Sequence, residues 1–210
     1  MLSRIAEALY WMGRYMERAE DTARILDVHV HHTLEDAYVD SVRACRAVLQ
    51  VMGVAAPEAT LDAASVSRVL AFDRAQASSI TSVLIAAREN ARGVREVISA
   101  ELWEALNATY NALDAQVSSA RNLGTHAFFR WVKERAAVVS GLADSTMSRD
   151  DGWRFLVLGR SVERVDMTAR LLSVRFADPG SSPEWVTTLR CCSAHEAYLR
   201  TYHRAVDASL

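Results

Sequence analysis

Apolar positions recur every three or four residues along nearly the whole chain, the spacing of helices with one buried face. Ile5, Ala8, Leu9, Met12, Met16, Ala19, Ala23 and Leu26 form one stripe, so a long helix is expected from Ser3, which can cap it, to about His31. Tyr38, Val42, Cys45, Val48 and Leu49 continue the period in a helix from Glu35 to about Met52, ended by Gly53 and Pro57. A short helix follows Asp62 and reaches about Leu70. Ser78 or Ser79 opens another through Ile80, Val83, Leu84, Ala87 and Ala91, and Ser99 opens one through Leu102, Leu106, Tyr110 and Leu113 to about Val117. Phe128 to Gly141 is helical in period. Ser148-Arg-Asp-Asp151 has the capping-box form ahead of a helix from Trp153 to about Phe176. The stretch 178–183 reads as loop, and a last helix spans Glu184 to about Val206. No alternating segment flanked by turn signals appears. The expected fold is all-α, a bundle of about seven or eight helices in a single domain over residues 1–210.

Composition agrees. The 210 residues are 50% hydrophobic and 24% charged, with only 8 Gly and 3 Pro, too few turn formers for an all-β fold. A net charge of −2 gives no reason to expect nucleic acid as partner. No apolar run approaches the ~18 residues of a membrane span, and charge falls where a signal peptide carries its apolar core, so a cytoplasmic protein is expected. Cys45, Cys191 and Cys192 have no C-x-x-C spacing and read as reduced thiols.

The strongest signal is an internal repeat. Leu9–Val28, LYWMGRYMERAEDTARILDV, aligns without gaps to Phe155–Val174, FLVLGRSVERVDMTARLLSV, with nine of twenty positions identical. A weaker echo lies at Ala87–Arg92. The 146-residue separation is too long for a solenoid and points to two related helices in one bundle, around an approximate two-fold. Glycine inside a helix costs about 1 kcal/mol against alanine. Gly13 and Gly159, at matching places, therefore suggest close approach of the two helices.

Around the helix, Gly13, Glu17, Glu20 and Arg24 make a stripe beside the apolar face, with Arg14, Arg18 and Thr22 next to it. Arg160, Glu163, Arg164, Asp166 and Arg170 repeat the arrangement. Three readings stand. The charges can fix helix register through i,i+4 and cross-helix pairs. They can form a site for a small anion or carboxylate substrate. Or Glu17 and Glu163 can pair for acid/base or metal chemistry, although no E-x-x-H accompanies them. The candidate binding residues are accordingly Arg14, Glu17, Arg18, Glu20, Arg24, Arg160, Glu163, Arg164, Asp166 and Arg170; no catalytic residue is assigned.

The opening MLSRIAEALYWMGRYMERAEDTARILDV, the stretch Ser78–Asn107 and the segment Met147–Leu172 resemble the bacterial alpha-E domain family. The resemblance implies an all-helical fold. It also implies a working partner, a circularly permuted ATP-grasp ligase-like protein, often with a transglutaminase-like protein, in a system that forms or modifies peptide or amide bonds. This chain would then be a helical accessory subunit without catalysis of its own, and ATP and Mg would be bound by the partner ligase, with no cofactor on this chain. A homo-oligomer is a further possibility. Members of the family typically run longer, with further helices and an FPRS-like segment after a motif like Ala194–Tyr198, so the chain is expected to lack those helices. If it binds a partner, an exposed apolar patch should mark where.

Other clusters carry weaker signals. His29, His31 and His32 with Glu35 and Asp36 look like metal ligands, yet histidines at a helix end are usually solvated or face the carbonyl end of the dipole; no metal site is assigned. Cys192 and His195 sit at i,i+3 without an orienting third group. The five tryptophans read as packing residues. Arg88, Arg92, Arg95 and Arg121 read as a solvated basic face.

Overall fold

The structure, a computed structural model, describes residues 1–35, 40–56, 61–176, 185–203 and 206, without the side chains of 32–35 and 175–176. Among them are nine α-helices and no strand: α1 (Ser3–Glu35), α2 (Ser41–Met52), α3 (Ala63–Ser67), α4 (Ile80–Arg92), α5 (Ala100–Leu123), α6 (Thr125–Thr146), α7 (Asp151–Phe176), α8 (Trp185–Cys191) and α9 (His195–Tyr202). A π-helical turn, Arg68–Phe72, extends α3.

Local chemistry sets most boundaries. Asp40 caps α2 by accepting from the N–H groups of Val42 and Arg43, and Gly53, at φ 65°, ends it in the left-handed conformation. Asp62 and Ser65 form a capping box on α3, while Ser79 and Ser99 cap α4 and α5. Gly124 alone joins α5 to α6, at φ 94° and ψ 159°, a region essentially restricted to glycine. Ser99 Oγ meets Thr146 Oγ1 at 2.6 Å, so the two helices form an antiparallel hairpin.

Three expectations are corrected. Gly141 lies inside α6, which runs on to Thr146, with open space around its Cα. The cap of α7 is Asp150, whose Oδ1 accepts from the N–H of Gly152 and Trp153, rather than Ser148. The final helix is two, because Ser193 takes φ 58° between α8 and α9. The expected loop at 178–183 lies outside the described residues, as do Asp36 and Pro57.

α1 is the axis of the molecule, packed against α7, α4 and α6. Leu9, Met12, Met16, Ala19, Ala23 and Leu26 of its stripe are all buried, as are Phe128 and Phe129 of α6 and Leu102, Leu106 and Leu113 of α5. Each large side chain so buried contributes about 1.5–3 kcal/mol. No described helix is long and apolar enough to cross a membrane.

Candidate functional site

The two copies of the repeat are α1 and α7, and they lie against each other. Their contacts advance together along both chains, Leu9 on Gly152, Gly13 on Leu156, Glu17 on Arg164, so the helices run parallel. A Cβ on Gly13 would sit 2.2 Å from the Leu156 carbonyl oxygen, and one on Gly159 would sit 2.0 Å from that of Tyr10. Tyr10 and Leu156 are themselves equivalent in the repeat, so the contact is reciprocal. Only glycine allows backbones this close.

One turn further on, the charged side chains cross the seam. Arg18 donates from Nε to Glu163 Oε1 at 2.6 Å and from Nη2 to Oε2 at 3.0 Å, while Arg14 Nε reaches Oε2 at 2.6 Å. Glu163 is 1% exposed. In the reciprocal pair, Arg164 Nε donates to Glu17, which is 2% exposed. The symmetry stops there. Arg160, the counterpart of Arg14, lies 3.7 Å from Asp144 of α6. Glu17 therefore has one strong donor where Glu163 has three N–H bonds, and burial pushes its pKa up against the pull of Arg164. For Arg14, burial opposes the charge, but the hydrogen bonds it donates to Glu163 and Tyr10 outweigh it and its pKa rises. Arg24 holds Glu20 and Arg170 holds Asp166, both i,i+4, and Asp166 also stands 3.7 Å from Arg14 across the seam.

Beyond the charged crossing, α1 and α7 diverge toward α8 and leave a cleft of about 320 Å³. Glu20, Asp21 and Arg24 line it from α1, Arg164, Met167 and Thr168 from α7, and Cys191, Cys192 and Ser193 from the end of α8. Neither Glu17 nor Glu163 lines it, so these carboxylates are packing partners of arginine and do not face a common opening. The carboxyls that do are Glu20, held by Arg24, and Asp21. Asp21 Oδ2 is buried without a hydrogen-bond partner, and burial, reinforced by Glu17 and Glu20, pushes the Asp21 pKa up to about 8. Burial also raises Cys192, with Thr168 in hydrogen-bond reach, so this thiol is not an activated nucleophile. His195 opens α9 and does not line the cleft.

Thus Glu20, Arg24 and Arg164 reach the cleft, Arg14, Glu17, Arg18 and Glu163 pair across the seam, Arg160 turns to Asp144 of α6, and Asp166 pairs with Arg170 and with Arg14. Asp21 was missed because it lies off both polar stripes. The signal was a mismatch: at this position the second copy of the repeat has Met167, which lines the same cleft.

The Glu-Arg dipeptide occurs at 17–18, 134–135 and 163–164, and the first and last of these exchange partners across the seam. A family model for a "predicted alpha-helical domain with a conserved ER motif", Alpha-E, matches residues 1–209. The chain belongs to the Alpha-E family. Among curated relatives are an uncharacterized protein of Mycobacterium bovis and one of Mycobacterium tuberculosis, each 26% identical over 183 residues. The match covers 77% of this Alpha-E chain and 21% of each of theirs, so it spans about a fifth of those relatives. No solved structure matches.

Proposed function

We propose that this chain is a helical accessory subunit that docks on an ATP-grasp-type carboxylate–amine ligase and presents substrate to it from the α1–α7 cleft. The partner binds ATP and Mg and makes or modifies the peptide or amide bond. The observation that supports this reading most is the outer face of α7. Phe155, Leu158 and Val165 are 37, 49 and 68% exposed and fall on one side of the helix with half-buried Val162. An apolar strip of this kind fits a partner surface better than water. Arg164 and Thr168 of the cleft lie on the opposite face of the same helix, so a ligase seated there would grip the helix that walls the cleft.

The test is co-purification with a neighbouring ATP-grasp protein, then ATP hydrolysis and product formation with and without this chain. Turnover that depends on the chain, and loss of capture in a folded Leu158→Glu/Val165→Glu variant, are expected. Unchanged partner turnover in the chain's absence overturns the accessory role.

A further inference from the structure

One turn past Arg24 on α1, Asp27 is met from across the bundle by two side chains of α6. Lys133 Nζ lies 2.7 Å from its Oδ2, and His126 Nδ1 lies 2.7 Å from its Oδ1. On α1 itself, one turn on, His31 Nδ1 stands 3.5 Å from the same Oδ1. The two imidazoles meet edge to face with centroids 5.0 Å apart, both half exposed, while Asp27 is 8% exposed. One ligand atom from each of the three residues lies within 4.8 Å of the others.

We propose that Asp27, His31 and His126 form a binding site for a divalent transition ion of the zinc class. Two nitrogens and one oxygen are a donor set for such ions and not for Mg or Ca, which take oxygen. Bond lengths near 2.0–2.1 Å in a tetrahedron put neighbouring donors about 3.3 Å apart. The observed 2.7 and 3.5 Å straddle that spacing, and the remaining donor pair lies within 4.8 Å. At present each Nδ1 bonds Asp27, His126 through the carboxylate and His31 through the main-chain carbonyl at 2.8 Å. In binding, each neutral ring carries its proton on Nε2, and the ion replaces the two Nδ1 hydrogens. Lys133 keeps Oδ2 and so fixes Asp27 as a one-oxygen ligand, the outer-shell support that metal carboxylates commonly have. Three protein ligands leave further positions for water or a ligand atom.

Sequence spacing pointed near this place but to other partners. His29 is buried with its Nε2 3.5 Å from Cys45 Sγ, away from the cluster. The His32 and Glu35 side chains and Asp36 lie outside the described residues. His126 and Lys133, 99 and 106 residues from Asp27, were invisible to any local motif.

The experiment titrates the purified chain with Zn²⁺ alone, and with Co²⁺ as a spectroscopic stand-in. One equivalent bound, weakened at least tenfold by His126→Ala and again by His31→Ala, is expected, with visible Co²⁺ absorption lost in both. Both rings are half exposed, so these variants keep the fold, which circular dichroism checks. No binding, or binding and a Co²⁺ spectrum unchanged in the double variant, overturns the site.

Discussion

A single hydrogen atom decides the seam at Gly13 and Gly159. Alanine at either position drives Cβ into a main-chain oxygen that cannot swing away. Overpacking of this kind costs about 1–3 kcal/mol, and urea unfolding of Gly13→Ala and Gly159→Ala should show at least that. Gly141→Ala is the contrast: it lies within α6 with nothing near its Cα, so alanine should stabilise by roughly 0.5–1 kcal/mol. Asp21 gives a pH signature. Its folded pKa, about 8, lies above the 3.8 of the unfolded chain. Through that window the folded state holds a proton that the unfolded state has lost, so stability falls as pH rises. Asp21→Asn should remove that slope, matching the parent within ~0.5 kcal/mol near pH 3, below both pKa values, and gaining on it steadily as pH rises toward 8. Parallel pH profiles for the two proteins would contradict it. Asp27 acts oppositely: burial would raise its pKa, but Lys133 and His126 hold it low, so its contribution is lost only as pH falls below the usual carboxylate range.

Between elements, the α1–α7 contact rests on two buried carboxylates with unequal support. Glu163→Gln leaves Arg18, 21% exposed, without its counter-charge and Arg14, 16% exposed, with only the longer 3.7 Å pair to Asp166, and should cost roughly 3 kcal/mol in chemical unfolding. Double-mutant cycles should find stronger coupling for Arg18–Glu163 than for Arg164–Glu17, because Arg164 is 62% exposed and its charge is screened. Equal couplings would refute the asymmetry. How far this was legible follows from the range of each cause. Helices capped by Asp62, Ser79 or Ser99 were readable because a cap is a short-range bond, and the glycine pair was readable because the repeat shows it twice. The α8–α9 break was not: Ser193 in a left-handed turn carries no glycine signal. The exchange of Glu-Arg partners was open only as one of three readings, because a cross-helix pair depends on how the helices are placed.

At the scale of the molecule, the parts differ in how much they support the rest. α9 buries no side chain and touches chiefly α8. A chain ending after Ala194 should keep its cooperative transition, with a midpoint shifted by no more than ~2–4 °C, the equivalent of about 1 kcal/mol at this size. Calorimetry would show it. Loss of the transition would mean that the terminal helix is integral to the bundle. The all-α class and the pairing of the twin helices were legible because hydrophobic period and a long repeat are properties of the chain. The sites were legible only in part, because a cleft and a cross-bundle cluster arise where helices distant in sequence happen to meet.

Asp21 and Met167 occupy the same place in the two copies, facing one opening. Had the twin helices come from two identical subunits, that position would hold either two acids, each repelling the other out of its charge, or two thioethers. Joining the copies in one chain lets them drift apart at that position, so the molecule can keep one ionisable group on its own pseudo-axis without having to tolerate a mirror image of it.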